Sequence, residues 1–158
     1  MFIAGHYTAA FTPPSGSSAS IGDTREGFRL RENHHKQDIQ TDTYGDGEVD
    51  GVGRGLSAEV QLDYVDYDLI RSVLYGQNPI GDAKSNVGLL LTTLAGQLVL
   101  TPVSGTTAAS NGGGAFTATK AIVTTDIETM LASKLRSGPC TFKLYPNSST
   151  GKLYTFAS

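Results

Sequence analysis

The chain reads as an all-β domain with one short flanking α-helix, a β-sandwich or barrel. Three observations predict it. Glycine is frequent, at 19 of 158 residues, and charged residues make up only 17%, a balance that favours turn-rich sheet over helical surface. Several segments alternate apolar and polar residues with period two, the mark of a strand with one buried and one wet face. Only one stretch, after Asp66, combines a cap, an apolar stripe and a glycine stop in the manner of a helix. The length suits one domain, 1–158, with residues 1–20 read as an N-terminal arm.

The elements follow in order. Gly5 to Phe11 is a short first strand or ordered arm, and Thr12 to Ser20 (TPPSGSSAS) is a loop. Gly27 to Glu32 is a strand, with Phe28 and Leu30 on one face and Arg29 and Arg31 on the other. Asp42 to Gly55 has loop chemistry: glycines at 45, 47, 51, 53 and 55 interleave with Asp42, Asp46, Glu48 and Asp50. Leu56 to Tyr64 then alternates strictly, Leu56, Ala58, Val60, Leu62 and Tyr64 against Ser57, Glu59, Gln61 and Asp63. Asp66 caps the helix, whose stripe is Leu69, Ile70, Val73 and Leu74; Gly76 and Asn78-Pro79 end it. At two to three turns it needs the sheet to pack on. Gly76 to Gly88 is a loop, Leu89 to Leu94 and Gln97 to Val103 are strands or strand-like core segments, Ser104 to Gly114 is a turn region, and Phe116 to Val123 is a strand. Thr125 to Arg136 carries a capping box, Thr125 with Glu128, and Ile127, Met130, Leu131 and Leu135 at helical spacing, which read locally as a short helix. Pro139 to Tyr145 alternates as a strand, Pro146 to Gly151 turns, and Leu153 to Phe156 closes a hairpin.

The chemistry-bearing residues exclude more than they assign. His34 and His35 are adjacent on an extended segment, so they point to opposite faces and do not chelate one ion together. In the acidic loop, a calcium register from Asp42 puts Tyr44 at position three and Gly53 at position twelve; one from Asp46 puts Ser57 at position twelve. Neither supplies the closing bidentate glutamate. Gly51-Val52-Gly53-Arg54-Gly55 has its third glycine one residue early for a dinucleotide fingerprint, and a strand follows where a helix belongs. No nucleophile elbow, phosphate loop or zinc spacing occurs, so no catalytic residues, metal or cofactor are assigned. Cys140, the single cysteine, sits on a strand alternation as a small core residue, and no internal disulfide is available. Asn147-Ser148-Ser149 matches a glycosylation acceptor, but the start MFIAGHYTAAF lacks the pattern of a secretion signal. The longest apolar stretch, around Gly88 to Leu91, is far too short to span a bilayer. A net charge of −3 argues against general nucleic-acid binding.

The order of features resembles a tail tube protein of long-tailed bacteriophages. The matching pieces are GHYTAAF, GDTREGFRLR, IQTDTYGDGEVDGVGRGLSAEVQLDYVDYD, a short helix, AGQLVLTP, and SGPCTFKLYPNSSTGKLY with its closing hairpin; together they cover most of the chain. The resemblance implies a β-sandwich with a flanking helix. Six copies form a ring whose inner strands make a barrel, and rings stack into a tube that passes DNA. It implies strand rather than helix over 125–136. It also implies a virion-tail location after assembly in the bacterial cytoplasm. The implied partners are the chain itself, a terminator, a tape measure and a sheath, with double-stranded DNA in transit and no membrane. Tail terminators and head–tail connectors are related ring formers and remain an alternative within that class. A soluble β-sandwich module binding a sugar or peptide is the alternative from another class.

Two expectations about surfaces follow. Acids cluster in Asp38 to Asp68, nine of the 15 with Arg54 the one base, while Met130 to Ser158 holds Lys134, Arg136, Lys143 and Lys152 and no acid. Head-to-tail stacking needs two complementary surfaces, so Asp42, Tyr44, Asp46, Glu48, Asp50 and Arg54 form one assembly candidate and those four bases the other. A channel for DNA must not hold phosphates, so the acidic row Ser57, Glu59, Gln61 and Asp63 is the candidate lumen wall. Leu56, Val60 and Leu62 then pack inward under the helix.

Overall fold

The computed structural model of the chain describes residues 6–22, 24–40, 43, 48–64, 88, 90–103, 114–125 and 138–157. Eight strands occur among them: β1 (Tyr7–Thr12), β2 (Ala19–Ser20), β3 (Thr24–Gln40), β4 (Glu48–Tyr64), β5 (Gly96–Pro102), β6 (Phe116–Val123), β7 (Gly138–Leu144) and β8 (Thr155–Phe156). One four-residue helix, α1 (Leu91–Leu94), precedes β5. The all-β class with a short helix is therefore what the chain adopts. The helix expected after Asp66 and the 125–136 segment, from 126 on, lie outside the described residues, as do most of the turn regions 76–88 and 104–114.

All strands belong to one antiparallel sheet, in the order β2-β1-β5-β6-β7-β4-β3, with β8 paired to β6. The sheet is rolled. In a flat sheet β1 and β7 would stand three strand spacings apart, about 14 Å. Yet the rings of Phe11 on β1 and Phe142 on β7 have centroids 5.7 Å apart. Rolling brings the inner faces of β1, β4, β5, β6 and β7 around one core, with Phe11, Phe142, Ile21, Leu98 and Val60 its most deeply buried side chains. Gly96 permits the tightest approach: a β-carbon there would lie 2.2 Å from the Thr12 carbonyl oxygen and 2.5 Å from the Phe11 ring. Only glycine fits where β5 starts beneath the end of β1.

Period-two alternation located the core. Ala58, Val60 and Leu62 are buried, and so are Cys140, Phe142 and Leu144, which pair with them as Leu62↔Cys140, Val60↔Phe142 and Ala58↔Leu144. Four expectations are corrected. Residues 90–94 of the expected Leu89–Leu94 strand or core segment form neither: Leu90 and Leu91 are exposed, the Thr93 hydroxyl donates to the Leu90 carbonyl at 2.6 Å, and the chain turns through α1 before β5 begins. Leu56 does not pack inward; it is 41% exposed, because the core ends at Ala58 where β7 ends. The segment up to Gly55 is not loop throughout, since β4 already starts at Glu48. Phe156 closes no hairpin with β7; β8 pairs with the start of β6, Phe116↔Phe156 and Thr117↔Thr155.

Candidate assembly surface

The two longest strands do something the rest of the sheet does not. β3 and β4 each run 17 residues and pair from Thr24↔Tyr64 to Gln40↔Glu48. β7 supports β4 only from Ala58 to Tyr64. Beyond Ala58 the pair continues alone among the described residues, as a two-stranded arm. From Asn33 to Gln40 it extends about 25 Å at the usual strand rise. Arg31 to Ile39 are all exposed, so both faces of the arm meet solvent. An isolated two-stranded ribbon is marginal in water. Polar sequence explains why the arm forms no core: Glu32, Asn33, His34, His35, Lys36, Gln37 and Asp38 follow one another on β3. The glycines of β4 are tolerated there because pairing with β3, not side-chain packing, holds the backbone.

Near its root the arm bends. His35 pairs with Gly55 and Lys36 with Gly53, so Arg54 is an extra residue on β4, a β-bulge. Gly55 has φ of +136°, a conformation that L side chains rarely adopt. His34 and His35 are on opposite faces as adjacent strand residues must be, and His35 Nε2 lies 3.1 Å from the Ser57 hydroxyl. No group of three or more His, Cys, Asp or Glu side chains that could hold a metal occurs among the described residues.

The row Ser57, Glu59, Gln61 and Asp63 shares the face of β4 opposite the buried Ala58, Val60 and Leu62. Its neighbours change its charge. Register places Arg29 beside Gln61, Arg31 beside Glu59, and Lys143 of β7 on the other flank of Glu59. Arg31 Nη1 is 3.8 Å from Glu59 Oε1, which also accepts from Gln61 Nε2 at 2.9 Å. The strand's own row is acidic, but the sheet face is mixed: Glu59 and Asp63 stand among Arg29, Arg31 and Lys143. Lys143 also lies over the Tyr145 ring, 5.4 Å from its centroid.

Of the loop candidates, Asp42, Tyr44 and Asp46 lie outside the described residues, whereas Glu48, Asp50 and Arg54 belong to the β4 backbone of the arm. Lys134 and Arg136 also lie outside them; Lys143 is on β7 and Lys152 is exposed after the 146–151 turn. That turn is tied by Asn147, whose side-chain oxygen accepts from the Ser149 amide at 2.8 Å.

From there the C-terminal segment crosses to the arm. Leu153 and Tyr154 pack against the core, β8 pairs with β6, and the Ala157 amide donates to the Ala115 carbonyl at 2.8 Å. Tyr154 and Phe156 meet Phe116 at centroid distances of 5.2 and 5.4 Å. The Tyr154 hydroxyl donates to Glu32 Oε1 at the arm's root. An open cleft of about 670 Å³ separates this segment from the arm, lined by Leu56, Lys152 and Phe156 among others. Sequence reading missed the length of the arm, the bases flanking Glu59 and this contact across 122 residues; the alternation of Arg29 and Arg31 was the available signal for the second.

Burial pushes the Cys140 thiol up to about 12, so it stays protonated at neutral pH. Among the described residues no helix is long and apolar enough to cross a membrane. Neither a family model nor a curated protein matches the chain.

Proposed function

We propose that the chain is a structural protein that assembles with copies of itself into rings and a stacked tube, in the manner of a phage tail tube through which DNA passes. The observation that carries this reading is the β3–β4 arm: a long ribbon, exposed from Arg31 to Ile39, that no other strand among the described residues covers. β3 also leaves its whole outer edge without a strand partner among the described residues, and β1 is covered on its β2 side from Ala9 to Phe11, with the Ile21 amide donating to the Ala9 carbonyl. Unpaired edges of this length favour pairing with another chain. Two different edges at opposite ends of one sheet favour a head-to-tail contact, which closes as a ring. A terminator or connector ring would use the same contacts without stacking.

The mixed face around Glu59 is the proposed channel wall. Two of its cations are engaged, Arg31 by Glu59 and Lys143 by the Tyr145 ring, which limits their grip on phosphates. The test is electron microscopy of the purified protein, at low and high salt, beside a variant in which residues 36–53 are replaced by a short glycine-containing turn. Rings or tubes from the parent, reduced by high salt and lost in the shortened variant, are expected. A folded parent that stays monomeric at high concentration would overturn the assembly reading and favour a ligand-binding module.

A further inference from the structure

The arm's root has an unusual set of supports. On the β7 side, β4 loses its neighbour beyond Ala58. On the other side β3 is a sheet edge. A few residues further out, the bulge at Arg54 and the positive φ of Gly55 interrupt the regular ladder. Between these two points, at Glu32 and Leu56, the arm meets the C-terminal segment 146–157. That segment occupies the space β7 vacates: Leu144 is the last residue of β7 to pair with β6, at Ala121, and β8 resumes pairing further along β6, at Phe116 and Thr117. Across the open cleft, it reaches the arm by the Tyr154–Glu32 hydrogen bond.

We propose that the arm is hinged at its root, between Ala58 and the Gly53–Gly55 bulge, and that segment 146–157 is a strap whose Tyr154 latches Glu32 and fixes the arm's angle. The physical case is one of stiffness. A ribbon two strands wide bends more easily than the eight-stranded sheet it leaves, and a bulge concentrates the bend. The strap itself is anchored firmly, by the Phe116–Tyr154–Phe156 ring cluster, β8 pairing and the Asn147 turn, so the Tyr154 hydroxyl is presented from a fixed ring. Its contact with the arm is exposed and rests on one hydroxyl and one carboxylate, so it is strong enough to bias an angle and weak enough to release. With the latch open, the cleft has room for the arm to lean towards the strap. The significance for assembly rests on the self-association reading, since the angle sets where the arm meets another copy. The hinge itself does not depend on it.

The test measures the angle in single chains. Spin labels at Asp38→Cys on the arm and Ser149→Cys on the turn give a distance distribution by pulsed electron paramagnetic resonance. The labelled chain is diluted in excess unlabelled chain, so only intramolecular pairs contribute whether or not copies assemble; buried Cys140 is replaced by alanine in all samples. A single narrow distance is expected for the reference protein, with a width at least about twofold larger for Tyr154→Phe and for Glu32→Ala. Glu32→Gln keeps an acceptor for the hydroxyl and should stay narrow. A narrow distribution in Tyr154→Phe, a broad one in the reference, or equal broadening in Glu32→Gln and Glu32→Ala would overturn the latch. Should Tyr154→Phe fail to fold, Glu32→Ala at its exposed site decides the matter by the same reading. Loss of assembly with an unchanged distribution counts against the assembly reading's use of the latch and leaves the arm's angle fixed by other contacts, which also overturns the proposal.

Discussion

Cys140 shows how one side chain ties the core to solution conditions. It faces inward on β7, 3% exposed, opposite Leu62. Desolvation disfavours the thiolate, so the pKa rises from 9.0 to about 12. Below pH 9 the thiol is protonated in both folded and unfolded chains, and stability owes nothing to its titration. Between pH 9 and about 12 the unfolded chain loses this proton first and binds fewer protons than the folded one. Stability therefore falls as pH rises, by up to about 1.4 kcal/mol per pH unit. Urea unfolding at pH 8, 9.5 and 10.5 checks this: the parent should lose stability relative to Cys140→Ala as pH increases. Parallel curves for the two proteins would contradict it. The native thiol should also resist thiol reagents at pH 8 and react fully once unfolded.

At the scale of elements, the β3–β4 arm and the rolled body obey different rules. Body strands are held by their inward rows, and losing Phe142 to alanine there carries the usual cost of about 3–5 kcal/mol. The arm has no inward row, so its shape depends on backbone pairing and on the bulge. A β-carbon at Gly55 meets nothing within 4 Å, so Gly55→Ala introduces no clash; only the φ of +136° penalises it. Such strain costs about 1–3 kcal/mol. Because the arm adds little to the core, the cost should appear locally. Amide hydrogen exchange over 33–40 should accelerate in Gly55→Ala, while exchange in β5 and β6 and the melting temperature stay near the parent's. A uniform increase across the sheet would show instead that arm and body unfold as one unit.

For the whole molecule, the consequential feature is the face shared by β3, β4 and β7. Its three bases, Arg29, Arg31 and Lys143, are only partly offset by Glu59 and Asp63, and that offset is easily removed. Replacing both acids by lysine leaves Arg29, Arg31 and Lys143 unopposed and adds two cations per chain. On the proposed tube reading, assemblies of Glu59→Lys/Asp63→Lys should retain double-stranded DNA in co-sedimentation at low salt, with retention falling steeply as salt rises, whereas parent assemblies retain little. Equal DNA retention by the two would place the face away from any channel.

The sequence by itself determined the class of the fold and the identity of the core rows. Strict alternation from Leu56 to Leu62 and from Cys140 to Leu144 names which side chains are inward, because a strand's period is a local property of the backbone. The same local spacing argues against a calcium loop, a dinucleotide turn and a paired histidine chelate. Tertiary structure decided where those rows end and what lies beside them. Leu56 continues the apolar alternation yet is exposed, since burial depends on β7, which stops at Leu144 some ninety residues later. Glu59 belongs to an acidic row but sits between Arg31 and Lys143, since cross-strand register is fixed by pairing, not by neighbours in sequence. The glycine-rich segment looked like loop because propensity assumes a strand must pack its side chains; in the arm, pairing alone suffices. The C-terminal segment joins β6 rather than β7 because β7 stops pairing with β6 at Leu144 and leaves the start of β6 open to β8, and no periodicity within 146–157 encodes where β7 stops.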